Sequence, residues 1–268
     1  MRTMKRTTSP HTQRGFTLIE AIVVITITAI ISAVVATFIR TPIQGYFDSV
    51  RRAELTDTAD TAVRRIGRDL RLALPNSVRV TTAGSVYYLE FLLTSGGGRY
   101  RTDTPGDPLD FTTATGDTSF DILGPTVPGT GTIAIYNLGI PGADAYNGDN
   151  TSAVTGISGN NLKISAKQFP FASPSNRFQI IQTPVSYVCD PAAGTLTRYS
   201  GYAISTGQPT SFSGSSSALL ARNVSACTFT YNPQVITQRA GLLSATLQLT
   251  QSGESVNLYY EAHVSNAP

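Results

Sequence analysis

The sequence predicts an α+β chain. One long N-terminal helix, membrane-spanning in its first part and amphipathic in its second, packs on an antiparallel β-sheet body. Three observations carry this. Residues 21–39 are 19 consecutive positions without a charge, about the length a helix needs to cross a bilayer. Leu55, Ala59, Ala62, Val63, Ile66, Leu70, Ala73 and Leu74 then recur at spacings of three and four, with Arg and Asp between them, the pattern of a helix with one buried face. Near the end, Leu243, Ala245, Leu247 and Leu249 alternate with polar residues, as do Val256, Leu258, Tyr260, Ala262 and Val264 after "QSGE". That alternation reads as an antiparallel hairpin with one buried face.

Taken in order, residues 1–15 form a basic leader, with Arg2, Lys5, Arg6 and Arg14 and no acid. The formal charge of the whole chain is +3, so its basicity belongs to the leader and implies no nucleic-acid partner. Cations ahead of an apolar span place the amino end in the cytoplasm and the chain after Arg40 outside it. The helix is expected over 16–75, membrane-spanning over about 16–40, and ended by Pro75-Asn76. Pro42 should kink or interrupt it. A cleaved secretory signal fits in part, since "VVA" at 34–36 resembles a cleavage site, but the apolar core is longer than such signals use. It also leaves Glu20 unexplained, and an ionisable group inside a membrane segment is costly enough to imply a function.

Those residues carry a family resemblance. "RGFTLIE" sets Gly15 before Phe16 and Glu20 fifth from that Phe, and an uninterrupted apolar helix comes after it. This resembles the processing motif of type IV prepilins and type II secretion pseudopilins. The resemblance implies a pilin-like fold, a cut between Gly15 and Phe16 by a membrane prepilin peptidase, and N-methylation of Phe16 by the same enzyme. It also implies other major and minor pilins and an inner-membrane assembly platform as partners. In a filament the Glu20 carboxylate would pair with the cationic Phe16 amine of a neighbouring subunit, so that one register satisfies a charge that others leave unpaired. "RDLRLALPNSVRV" at the helix end, "VSYVCDP" and "GTLTRYSGY" in mid-body and the closing "HVSNAP" resemble minor pilin-like subunits of the MSHA pilus system. The J-type minor pseudopilins are the next most similar group.

The body, residues 76–268, reads as a β-rich periplasmic domain. Strand signals include "SVYYLEFLL" (85–93), "TIAIYNL" (132–138), and a hairpin made by "RFQIIQTPVSYVC" and "TLTRYSGYAI" around a "DPAAG" turn. Cys189 and Cys227 show no metal-ligand spacing. In an exported body they read as a disulfide stabilising the fold by roughly 3–4 kcal/mol on a chain-entropy estimate, with a pair of buried thiols as the alternative. Residues 94–110 and 139–156 read as long polar loops. The second brings Asp144, Asn147, Asp149 and Asn150 together, either as a solvated loop or as calcium ligands without the full EF-hand spacing. Enzymatic signals are weak. His263 falls on a polar strand face, no GxSxG elbow is present, and no GxGxxG precedes a helix. The sequence therefore points to an assembly subunit with no cofactor, with two alternatives: a J-type minor pseudopilin of a secretion system, or an adhesive tip subunit that binds a surface or glycan through residues 94–110 or 139–156.

Overall fold

The structure, a computed structural model, describes residues 15–235 and 240–268. The basic leader with Arg2, Lys5, Arg6 and Arg14 lies outside the described residues. Among the described residues, one helix, α1 (Leu18–Leu70), precedes twelve strands. The chain divides into two units, one ending at Val50 and one running from Arg51 to Pro268. Within the first unit, α1 continues through Pro42 without a break. The expected interruption does not occur: the missing N–H costs one ladder hydrogen bond, and the flanking turns remain helical.

In the second unit, α1 lays its apolar stripe on the sheets. Leu55, Ala59, Ala62, Val63, Ile66 and Leu70 are buried in one cluster with Leu243, Ala245, Leu247 and Leu249. Each large side chain buried there contributes roughly 1.5–3 kcal/mol. The helix ends at Leu70, four residues before Leu74. There the chain turns to pair with the body instead: Leu74 N–H donates to the Leu92 carbonyl at 2.8 Å, and Ala73 bridges Leu93.

The strands are β1 (Arg79–Ala83), β2 (Val86–Tyr100), β3 (Asp117–Leu123), β4 (Thr132–Ile135), β5 (Thr151–Ser158) and β6 (Asn161–Lys167). They continue with β7 (Arg177–Asp190), β8 (Thr195–Ser200), β9 (Ser216–Arg222), β10 (Val224–Val235), β11 (Ala240–Gln251) and β12 (Glu254–Ser265). The last three form an antiparallel sheet in the order β10-β11-β12. Its β11–β12 turn is Ser252-Gly253, with φ of 50° and 89°, the left-handed pair that a two-residue hairpin turn requires. The expected hairpin is thus present, and its apolar face covers the α1 stripe.

The remaining nine strands form two connected structures. The first halves of β2 and the last halves of β7 pair with each other, with β1 and β8 outside them and β9 beyond β8. Past a bulge at Leu93/Thr94/Gly96, the other halves of β2 and β7 join β3, β6, β5 and β4 in a ring that closes on itself. Tyr100, Phe120, Ile122, Ile133, Leu162, Phe178 and Ile180 fill this small barrel.

The barrel corrects the reading of both polar segments. Residues 94–100 belong to β2 and residues 151–156 to β5, so neither segment is a loop throughout. Glycine at 97 is a packing requirement: a Cβ there would lie 2.6 Å from the Phe178 carbonyl oxygen, so only a bare backbone lets the two strands approach. The segment between β2 and β3 is tied down rather than free. The Asp110 carboxylate accepts bonds from Thr112 N–H at 2.7 Å and its hydroxyl at 2.6 Å, and from the Thr113 hydroxyl. The Thr112 hydroxyl, the Thr113 hydroxyl and the Thr112 N–H hold its pKa down at about 2, against an ordinary 3.8. A depressed carboxylate contributes stability that is complete above its ordinary pKa and is lost as pH falls through the folded value. Hydrogen exchange should therefore find the Thr112 amide protected at pH 4 and released only as pH approaches about 2. Release near pH 4 would contradict this.

The disulfide joins Cys189 of β7 to Cys227 of β10. It is buried and stitches the nine-stranded sheet to the three-stranded one. Asp144 and Asp149 are occupied with backbone N–H groups, of Tyr146 for the first and of Gly142 and Asp144 for the second. Asn150 is buried, its amide donating to the Ile135 carbonyl at 3.0 Å. These side chains brace the turn ahead of β5.

Candidate functional site

The candidate site is the start of α1. Gly15, Phe16 and Thr17 precede the first helical residue, Leu18. Gly15 has open space around its Cα, and Phe16 is 85 % exposed. The junction between them is therefore uncovered backbone with a large apolar side chain on one side.

Thr17 and Glu20 meet in a reciprocal arrangement. The Glu20 carboxylate accepts from Thr17 N–H at 3.1 Å and from the Thr17 hydroxyl at 3.0 Å, while Glu20 N–H donates to that hydroxyl at 3.3 Å. This is a capping box, in which N-cap and third-residue side chains satisfy N–H groups that the helix itself leaves open. The sequence reading missed Thr17, although T-x-x-E ahead of an apolar run carries the signal. A cut after Gly15 would leave the Phe16–Thr17 peptide intact and keep the box. It would also create a cationic amine one residue from the N–H that Glu20 already holds. Glu20 is thereby held at the head of the helix.

Beyond the box, the helix is apolar on all sides and wholly exposed. Ile19, Ile22, Val23, Ile25, Ile30, Val34 and Phe38 are among its uncovered large side chains. The most apolar 18-residue window has a mean hydropathy of 2.7, and α1 is long and apolar enough to cross a membrane. Three of its threonine hydroxyls are satisfied internally: Thr26 donates to the Ile22 carbonyl at 3.0 Å, Thr28 to Val24 at 2.7 Å and Thr37 to Ala33 at 2.9 Å. A helix that pairs its backbone groups within itself and turns its threonine hydroxyls back on its own carbonyls is what hydrocarbon accepts. An apolar surface this continuous needs lipid or other helices to cover it.

Residues 10–36 match the family model described as the prokaryotic N-terminal methylation motif. The chain carries a prokaryotic N-terminal methylation motif. The matched span includes Gly15, Phe16, Thr17 and Glu20, so the capping box lies inside the motif. The motif, the single apolar helix and the helix-on-sheet architecture together support a pilin-like or pseudopilin subunit. No curated protein and no solved structure matches the chain.

The body carries two buried polar networks that hold shape. Glu90 accepts from Arg79 at 2.6 Å and from the Tyr202 hydroxyl at 2.9 Å, and Arg79 also reaches the carbonyls of Ser205 and Thr206 while lying 3.6 Å over the Tyr146 ring. Burial raises the Glu90 pKa against the opposing pull of Arg79 and Tyr202. In the second network, Asp69 near the end of α1 accepts from Arg198 at 2.7 Å and from the Tyr187 hydroxyl at 2.9 Å. Burial and the Asp69 charge drive the Tyr187 pKa well above its ordinary value. His263 is exposed on the outer face of β12, as its alternation predicts.

Proposed function

We propose that the chain is a minor type IV pilin-like subunit, of the kind that serves MSHA pilus biogenesis. A prepilin peptidase cuts it between Gly15 and Phe16 and methylates Phe16. The subunit waits in the inner membrane, with its amino end cytoplasmic and its body periplasmic. It then passes through the assembly platform to join other pilins, in a priming or tip complex. The observation that carries this reading is the uncovered apolar helix headed by Gly15, Phe16 and a helix-capping Glu20, all inside the methylation motif. A body of twelve strands favours low copy number, because so bulky a domain would crowd a thin shaft if repeated along it. The proposal involves no enzymatic activity.

Deletion of the gene tests the system the subunit serves. Loss of surface pili with exoprotein release intact is the expected result. Intact pili with blocked exoprotein release would overturn the pilus assignment and make the chain a J-type pseudopilin.

A further inference from the structure

The outer wall of the barrel holds two arginines in a place where they should repel. Arg99 of β2 and Arg177 of β7 are direct cross-strand partners, and both are exposed. Facing residues in an antiparallel pair have Cβ atoms about 4.5–5.5 Å apart, and like charges there are destabilising. Neither guanidinium has a hydrogen bond or ion pair among the described residues. The pair stands at one end of a trough of about 540 Å³ floored by Gly96, Gly97 and Gly98 and lined by no carboxylate. Gln179, opposite Gly97, lines the trough with its side-chain amide unbonded. Leu123, opposite Arg99, adds an apolar flank at 43 % exposure.

We infer that this trough binds an acidic polysaccharide, with Arg99 and Arg177 sharing the carboxylate of a uronic-acid residue. Two guanidiniums offer forked donors to one oxyanion, which resolves their mutual repulsion. Gly97, two positions from Arg99 and so on the same face, leaves bare backbone for a sugar ring to lie against, whereas a Cβ at Gly98 would point into the barrel at Phe178 and Ile122. The Gln179 amide suits sugar hydroxyls, and Leu123 suits the C–H face of the ring. An acidic protein side chain would need only the arginines. The site stands on the geometry of the body and does not depend on the assembly role proposed above.

The test uses the detergent-solubilised full chain and polygalacturonate as probe, with fully methyl-esterified polygalacturonate and poly-aspartate as comparisons. Binding should weaken with salt and be at least tenfold tighter for polygalacturonate than for either comparison. It should weaken at least tenfold in Arg99→Gln/Arg177→Gln. Because Leu123 faces Arg99, Leu123→Asp should block the site with an internal carboxylate and weaken binding to a similar extent without altering either arginine. Arg68→Gln/Arg71→Gln, which removes exposed cations from the last turn of α1 and the residue after it instead, should bind as the parent does. Equal affinity for poly-aspartate would overturn the assignment in favour of an acidic protein face. Unchanged binding in both trough variants would overturn it altogether.

Discussion

Glu20→Gln should leave the subunit in the membrane and deplete it from filaments by tenfold or more, measured as its share in sheared surface material against the membrane fraction. The substitution separates two jobs that fall on one side chain. Glutamine is also a capping-box residue, so it keeps the bonds between residue 20 and Thr17 that now measure 3.0–3.3 Å. It removes only the charge. If the carboxylate matters because it answers a cationic amine on a neighbour, the loss should be nearly as large in Glu20→Gln as in Glu20→Ala. If capping is the whole role, Glu20→Gln should assemble normally, and Glu20→Ala should cost only about 1 kcal/mol of helix stability. The first pattern is expected because an uncompensated charge within a bundle of apolar helices is far more costly than a frayed first turn. Thr17→Val gives the converse, a weakened cap with the charge retained, and should assemble close to normally.

Asp69→Ala should destabilise the body by about 3–5 kcal/mol, the cost of stranding one partner of a buried ion pair. Asp69 and Arg198 have side chains only 9 % and 14 % exposed and meet at 2.7 Å. Asp69 lies near the end of α1, while Arg198 lies on β8 and Tyr187 on β7, so one carboxylate ties the helix to two neighbouring strands. Removing it leaves the Arg198 guanidinium, and the half-exposed Arg65 guanidinium 3.2 Å from the other carboxylate oxygen, without their anion, and leaves the Tyr187 hydroxyl only the Arg65 carbonyl at 3.4 Å. Urea unfolding of the detergent-solubilised chain measures the effect. Asp69→Leu/Arg198→Leu should recover much of the loss, since replacing a whole buried pair with apolar residues is often close to neutral. A single-variant cost below about 1 kcal/mol, the range of exposed pairs, would show that the network is solvent-screened and does not anchor the helix.

The helix and the last hairpin were legible because burial imposes a period. Ala59, Ala62, Val63, Ile66 and Leu70 all turn inward, as their spacing demanded, and Leu243 to Leu249 turn inward at every second position. The disulfide was legible because only two cysteines exist to pair. The barrel was not. Its closure depends on β2 and β7 each serving two structures on either side of a bulge, and pairing between distant segments leaves no local signature. Gly96, Gly97 and Gly98 misled in a specific way. Glycine runs mark loops by composition, but here the missing side chains let β7 pass close by, and the reason lies at Phe178, 81 positions away from Gly97. The confrontation of Arg99 with Arg177 is likewise a property of register, visible only once the strands are aligned. In the candidate site, Gly15, Phe16 and Glu20 could be read from order alone. Thr17 became informative once its hydroxyl was seen bonding the carboxylate.

Mass spectrometry of the amino-terminal peptide, from sheared filaments and from membranes, tests the central claim most directly. The account predicts a peptide that begins at Phe16 and carries one methyl group on its amine, with trace amounts in filaments. An unmodified start beyond the "VVA" of residues 34–36 would contradict it. The helix would then be an ordinary export signal, and Glu20 would have no assembly role.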